Sequence, residues 1–168
     1  KTPIVIPSFE EDTSKYVVFS NFNDPAYFIG NTETIVNVCR ASSAAPVYLP
    51  AHNFNGHYYS DGGVYANDAI LAAINVGLSV KPHATRIVII DVGTGIGNMS
   101  FDGSGGASTD LEHSAVRAVK IMNVAMTGAE EWSRYYLDYL SNRLARDVYF
   151  YKFQPKFPED FPNELDNS

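Results

Sequence analysis

The sequence has one cysteine, fewer basic than acidic residues and no long hydrophobic run, and each shortage excludes a class of protein. A single cysteine, Cys39, cannot form an internal disulfide framework, and it leaves the redox compartment open. The 12 Lys and Arg residues are outnumbered by 19 Asp and Glu residues, which gives a formal net charge of -7 without any basic run. We therefore expect no nucleic-acid partner.

The apolar runs are far shorter than the roughly 20 residues that a membrane helix needs, so we expect a soluble chain. This composition is compatible with a cytoplasmic protein and with one peripheral to a membrane. With 168 residues, of which 45% are hydrophobic, the chain can bury a core and fits a single domain. The strand-like run TPIVIP follows directly after Lys1, which leads us to expect that part of the domain lies upstream.

Strand and helix patterns alternate along the chain, which predicts an α/β fold. Strand patterns occupy residues 3–7, 16–22, 52–60 (a hairpin turning at Asn55-Gly56), 86–93 and 147–155. Helical patterns occupy residues 31–45, 69–76 and 111–145. Asn31 is the predicted cap of the first helix, whereas Asp68 caps the second and Gly77 ends it. Gly128 is predicted to break or bend the third. The run RIVIIDVG at 86–93 is typical of a strand covered on both faces. We therefore expect a mainly parallel central sheet flanked by helices.

Two glycine-rich segments follow the predicted strand at 86–93. GTGIGN, residues 93–98, resembles part of a dinucleotide-binding fingerprint, but Asn98 stands where the third glycine should be and no lysine follows. A tight turn is therefore favoured over a nucleotide site, and a shift in melting temperature on adding NAD would test this. Residues 98–110 are rich in Gly, Ser and Asp and are predicted to form a flexible loop.

Histidine and cysteine side chains suggest metal or thiol chemistry, but a structural role is favoured for each. His52, His57 and Asp61 are close enough in sequence to suggest a metal site. Histidines beside aromatic residues are more often packing residues, so we expect no metal. Cys39 falls on the apolar face of a predicted helix, where we expect a buried, inert thiol.

Asp61 stands in the stretch YYSDGGVYAND, directly before Gly62 and Gly63. Asp-Gly is among the commonest turn pairs, because aspartate hydrogen-bonds the backbone nearby and glycine adopts positive φ, so a turn alone explains the pattern. A carboxylate held rigidly in this way could also act as a general base. The pattern by itself leaves both interpretations open.

The sequence around Asp61 closely resembles the C-terminal signature of the patatin-like phospholipases. It reads CRASSAAPVYLPAHNFNGHYYSDGGVYANDAILAA. Arg40 to Pro46 match the family's Arg-Ala-Ser/Thr-Ser-Ala-Ala-Pro stretch, and Asp61 to Gly63 match its Asp-Gly-Gly/Ala motif. IPSF and VFSNF resemble the family's preceding strand pair, while IVIIDVGTG and VYFYKFQP resemble its later strands. The resemblance spans about residues 3–155 and rests on several motifs in the family's order.

The resemblance implies a lipid acyl hydrolase of the phospholipase A type that uses a Ser-Asp dyad without a cofactor or a metal. Asp61 would be the catalytic base, supported by Gly62 and Gly63, and would take the proton of a serine on a Gly-x-Ser-x-Gly elbow. The substrate would be a phospholipid or another acyl lipid at a membrane surface. Neither His52 nor His57 needs a catalytic role in that scheme.

One departure from the family pattern concerns the nucleophile itself. No serine among the 168 residues has glycine two positions before and two positions after it, and the family's glycine-rich oxyanion loop is also lacking. In the family both elements precede the strand pair at residues 3–22. We therefore expect residues 1–168 to be the C-terminal part of a single patatin-like catalytic domain that is incomplete at both ends. This part alone should be inactive, because it depends on an upstream part that carries the nucleophile. The alternative is a non-catalytic lipid-binding or scaffolding domain of the same fold.

Overall fold

The structure is a computed structural model, and it describes residues 2–21, 28–29, 34–95, 111–143 and 146–156. The strands in these ranges are β1 (Val5–Glu10), β2 (Lys15–Ser20), β3 (Phe28–Ile29), β4 (His52–Phe54), β5 (His57–Asp61), β6 (Arg86–Val92) and β7 (Asp147–Phe153). The helices are α1 (Ile35–Ser42), α2 (Gly63–Ala66), α3 (Ile70–Val80) and α4 (Leu111–Ser141).

The larger sheet contains five strands in the order β3-β2-β1-β5-β4, and its pairs are antiparallel except for β2 with β3. Short connections explain this arrangement. Residues 11–14 join β1 to β2, and Asn55-Gly56 joins β4 to β5, whereas a parallel pair needs a crossover of about a dozen residues or more. The α/β class is confirmed, but the larger sheet is mainly antiparallel, so the expected mainly parallel central sheet is wrong for the described residues.

The hairpin predicted over residues 52–60 is confirmed. Asn55 and Gly56 have φ angles of 51° and 82°, as a two-residue type I′ turn requires. Phe54 and Tyr59, on either side of this turn, stack with ring centroids 4.5 Å apart and are both buried. The turn therefore places two aromatic rings in the core.

Strands β6 and β7 form a second, two-stranded sheet that is parallel, with Arg86 opposite Asp147 and Val92 opposite Phe153. The long helix α4 lies between them in sequence, as the crossover of a parallel pair does. Every second residue of each strand is exposed, and the exposed fraction of Val92 reaches 74%. The described residues therefore cover only one face of β6, not both as its apolar run predicts.

Helices lie on both faces of the five-stranded sheet. On one face, Val38 and Ala41 of α1 join Val17 and Phe19 of β2 in the buried core. On the other face, α2 lies against β1 and β2, and its residue Tyr65 contacts the rings of two aromatic residues there, Phe9 and Tyr16. Residues alternate between the faces of a strand, so β2 supplies both layers of packing.

Helix ends differ from the predicted ones in several places. Helix α1 begins at Ile35, and its cap is Thr34, whose hydroxyl accepts a hydrogen bond from the Asn37 N–H; the predicted cap, Asn31, lies outside the described residues. Helix α3 continues through Gly77 to Val80, and α4 continues through Gly128, so neither glycine ends or breaks its helix.

Two further features of the described residues bear on the sequence predictions. None of the described helices is both long and apolar enough to cross a membrane. The predicted loop at 98–110 lies outside the described residues.

We predict opposite effects from two Gly→Ala substitutions. Gly56→Ala should destabilise the protein by about 1–2 kcal/mol, because alanine is disfavoured at a φ of +82°. Gly77→Ala should stabilise it by about 0.5–1 kcal/mol, because Gly77 lies inside α3 and nothing is within 4 Å of an added Cβ. Urea denaturation measures both, and midpoints that shift in the same direction would contradict the described turn or the described helix.

Candidate active site around Asp61

Asp61 is the last residue of β5, and main-chain contacts on two sides fix its backbone. It pairs with Ser8 of β1 in the antiparallel register, and its N–H donates to the carbonyl oxygen of Ala44 at 2.9 Å. The Ser8 hydroxyl, which is fully buried, donates to the carbonyl oxygen of Ser60 at 2.8 Å. Asp61 is therefore anchored both to the sheet and to the segment that follows α1.

The Asp61 carboxylate is held by the turn that the sequence predicts. The Gly63 N–H donates to Asp61 Oδ1 at 2.7 Å, while the side chain as a whole is partly buried. Gly62 lies directly on β1, since a Cβ on Gly62 would be 2.4 Å from both the carbonyl carbon and the oxygen of Pro7. A side chain at position 62 would therefore push the turn away from the sheet.

The segment Arg40 to Pro46 meets this turn through the same strand. Ala41 is fully buried in the core, and the Ser42 hydroxyl donates to the carbonyl oxygen of Pro7 at 2.8 Å. Ala44 is also buried, and its carbonyl accepts the Asp61 N–H. The small residues of this motif thus allow α1 and the loop after it to lie close to β1 and β5. The two motifs that carry the family resemblance are in direct contact.

Tyr65 anchors the other side of the turn. Its hydroxyl donates to the carbonyl oxygen of Val17 at 3.0 Å, and burial raises the pKa of Tyr65 well above its ordinary value. The two tyrosines before Asp61 behave differently, because Tyr59 is buried whereas the exposed fraction of Tyr58 is 49%. Tyr65 and Tyr59 therefore form parts of the rigid support, and Tyr58 faces solvent.

Helix α4 also reaches this turn, which the sequence does not predict. A Cβ on Gly63 would lie 2.6 Å from Cε of Met126, so the helix packs directly against the glycine whose N–H holds Asp61. In the sequence, Met126 belongs to an apolar stripe at three- and four-residue spacing that includes Val119 and Met122. The stripe indicates that this face of α4 is buried, but not which segment lies against it.

A group of charged residues joins α4 to the second sheet, and its centre is Lys152 on β7. Lys152 Nζ lies 3.2 Å from Asp91 Oδ2 and 2.5 Å from Glu130 Oε1, and Arg134 binds the same Glu130 oxygen at 3.2 Å. Burial acts to lower the pKa of Lys152, but its hydrogen bonds with Glu130 and Asp91 outweigh this effect and raise it. The lysine is therefore held as a cation. The sequence signal for this group is the charge inside two otherwise apolar strand runs, IVIIDV and VYFYKF.

Asp68 lies next to this charged group and near the start of α3. Its Oδ1 accepts a hydrogen bond from the Ile70 N–H at 3.0 Å, so it acts as the predicted cap although the formal cap position is Ala69. Burial raises the pKa of Asp68, and the charges of Asp91 and Glu130 contribute in the same direction.

The two histidines weighed as metal ligands, His52 and His57, bind different groups in the described residues. His52 Nε2 hydrogen-bonds Asn37 Oδ1 at 3.1 Å, whereas His57 Nδ1 lies 2.7 Å from the buried carboxylate of Glu10, so the two histidines have separate partners. No group of three potential metal ligands comes together within the described ranges. Cys39 is exposed, so the expectation of a buried thiol is wrong.

The glycine-rich segment after β6 is described only in part. Residues 93–95 lie within the described ranges, whereas residues 96–98 do not. Gly93 packs against the side chain of Gln154, so its lack of a Cβ serves packing between the ends of β6 and β7.

Comparison with known proteins identifies the family of these motifs. Residues 3–74 match the family model of the patatin-like phospholipases. This match includes both segments that meet at Asp61, and it confirms the resemblance to the patatin-like phospholipases that the motifs indicate. No solved structure gives a significant match.

Three proteins of Arabidopsis thaliana are similar to this chain. Patatin-like protein 3 is 30% identical over 115 residues, which cover 56% of this chain and 27% of that protein. Patatin-like protein 2 is 35% identical over 82 residues, 44% of this chain and 20% of that protein. Patatin-like protein 4 is 28% identical over 148 residues, 79% of this chain and 33% of that protein. The chain thus spans at most a third of the length of these relatives.

The contact between Gly62 and Pro7 predicts a difference between the two motif glycines. Gly62→Ala should destabilise the protein by about 1–3 kcal/mol, because the new methyl group would meet rigid main chain at 2.4 Å. Gly63→Ala should cost less, because its nearest neighbour is the flexible end of Met126. Thermal or urea denaturation of both variants tests this order, and a Gly62→Ala variant as stable as the unmodified protein would show that the close approach is absent.

Proposed function

We propose that this chain is part of a patatin-like lipid acyl hydrolase and supplies Asp61 as the catalytic base of a Ser-Asp dyad. The observation that carries this proposal is the rigid placement of the Asp61 carboxylate. The Gly63 N–H donates to the carboxylate, and Asp61 lies at the end of a strand. Its own N–H donates to Ala44 in the other motif that carries the resemblance. A general base must be held in a fixed position within about 3 Å of the proton that it takes, and this support suits that requirement.

In the proposed reaction, Asp61 accepts the hydroxyl proton of a serine while the serine oxygen attacks the ester carbonyl of the lipid. The bond to the alcohol breaks, the alcohol leaves with a proton, and an acyl-enzyme remains. Water then attacks the acyl group with Asp61 again as the base, which releases the fatty acid and restores the serine. Holding Asp61 through Oδ1 is compatible with a serine hydroxyl bound at Oδ2.

The serine would come from polypeptide outside these 168 residues. Two observations support this part of the proposal. The sequence contains no Gly-x-Ser-x-Gly, and the relatives are at least three times longer than the parts that match. The exposed apolar face of β6 and β7 offers a surface for such a segment, because parallel sheets are ordinarily covered on both faces.

The substrate class proposed is a phospholipid or another acyl lipid presented at a membrane surface. It follows from the family match, since patatin-like phospholipase is the description of the model that fits residues 3–74. Neither a metal nor a cofactor enters the proposed steps, because the carboxylate and the serine supply the proton transfer and the nucleophile.

A second candidate is a non-catalytic lipid-binding or scaffolding domain of the same fold. The lack of a serine elbow in the 168 residues favours it. The sequence of the whole polypeptide separates the two candidates. A Gly-x-Ser-x-Gly segment before residue 1 removes the support for the second, and its absence from the whole polypeptide removes the support for the first.

In the polypeptide that contains the nucleophile, Asp61→Asn should lower the rate of ester hydrolysis by about 10²–10⁴-fold, because asparagine cannot accept the serine proton. Folding should be unchanged, since the asparagine oxygen can still accept the Gly63 N–H. Nitrophenyl ester hydrolysis and circular dichroism measure the two quantities.

Asp68→Asn is the matched control for this prediction. Asp68 is another partly buried aspartate, seven residues along the chain, and asparagine caps a helix about as well as aspartate. This variant should keep an activity close to that of the unmodified protein. Retained hydrolysis in Asp61→Asn would exclude the dyad.

A further inference from the structure

We propose that Lys152 is a positioning residue for Asp61, and that it acts through helix α4. The inference rests on the function proposed above, because it assigns Lys152 a part in placing the general base. Lys152 itself lies on β7 and belongs to the second sheet, whereas Asp61 belongs to the first. Two side-chain contacts and one helix connect them.

The first contact ties α4 to the second sheet. Lys152 pairs with Asp91 across β6 and β7, and only 17% of its side chain is exposed. Its Nζ reaches Glu130 on α4 at 2.5 Å, and the exposed fraction of the Glu130 side chain is 24%. Because both partners are largely removed from water, the attraction between them is screened much less than that of a surface pair.

The second contact lies one helical turn away on the same face of α4. Met126 precedes Glu130 by four residues, and side chains at this spacing lie one above the other, about 6 Å apart along the helix. The Met126 Cε occupies the space beside Gly63, whose N–H holds Asp61 Oδ1. A displacement of α4 at Glu130 would therefore change the packing of Met126 against the Asp61 turn.

Removal of the Lys152 cation would leave the carboxylates of Asp91 and Glu130 without the positive charge that they share. Asp91 and Glu130 would then face each other without the cation between them, and Asp68 lies close enough for both charges to influence it. Arg134 would still bind Glu130, but it belongs to α4 and cannot tie the helix to the sheet. Repulsion would therefore act between α4 and β6.

A contrasting ion pair at the opposite end of the same two strands provides a control. Arg86 Nη2 and Asp147 Oδ2 are 4.0 Å apart, and the exposed fraction of each side chain is 65%. The pair lies in the same register of β6 with β7 as Lys152 and Asp91, but here each residue has its ion-pair partner on the neighbouring strand and not on α4. Exposed pairs of this kind contribute little.

The test uses the complete enzyme with its nucleophile and compares Lys152→Met, Lys152→Arg and Arg86→Met. Lys152→Met should lower kcat by about 10–100-fold with little change in KM, because a small misplacement of a catalytic group affects the chemical step. Lys152→Arg should restore most of kcat, since it keeps the cation. Arg86→Met should leave kcat unchanged.

A second variant keeps the test decisive if Lys152→Met does not fold. Glu130→Met removes the acceptor on the helix side and leaves Lys152 paired with Asp91. It should lower kcat in the same way, and an unchanged kcat in a folded Glu130→Met protein would overturn the inference.

A double-mutant comparison separates positioning from a general loss of structure. If Lys152 acts through Asp61, adding Lys152→Met to Asp61→Asn should not lower the residual rate per folded molecule any further. A further drop of the same size as in the single variant would overturn the inference. Failure of the proposed function would look different, because Asp61→Asn itself would then retain hydrolysis.

Discussion

The close approach of Gly62 to the backbone of Pro7 is the contact on which the candidate site depends. A Cβ at position 62 would lie 2.4 Å from main-chain atoms, so only glycine allows the end of β5 to cross β1 at this distance. The register of β1 with β5 then places Asp61 opposite Ser8, and the Ala44 carbonyl lies within hydrogen-bond distance of the Asp61 N–H. One missing methyl group thereby determines where the carboxylate lies.

Features set by neighbouring residues could be predicted from the sequence, and features set by distant ones could not. The turn at Asn55-Gly56 and the Asp61 turn each need only local backbone geometry, and both are found where the sequence places them. The sequence predicts Gly77 as the terminator of α3, because glycine is common just past the end of a helix and costs about 1 kcal/mol relative to alanine inside one. Burial of Ile70 and Val76 on the same helix outweighs a cost of that size.

The order of strands shows the same limit on a larger scale. The apolar run at 86–93 correctly predicts a strand with a parallel partner. It carries no information about the separate five-stranded sheet, to which this strand does not belong. The five-stranded sheet combines two pairs joined by short connections, the parallel pair of β2 with β3, and the pairing of β1 with β5, which are far apart in sequence. No periodic pattern in either strand specifies that pairing. In the structure, the two strands bury Tyr59 and Ser8, and the Ser8 hydroxyl donates to the carbonyl oxygen of Ser60 across the pair.

The two histidines near Asp61 in the sequence, His52 and His57, have structural partners of their own. His52 is bound to Asn37, and His57 is paired with the buried carboxylate of Glu10, so both rings have structural partners other than Asp61. The backbone around Asp61 offers an N–H donor, which stabilises a negative charge and would repel an imidazolium. A turn built from a strand end and two glycines therefore suits the proposed anionic base better than a histidine, because main-chain atoms already orient the carboxylate.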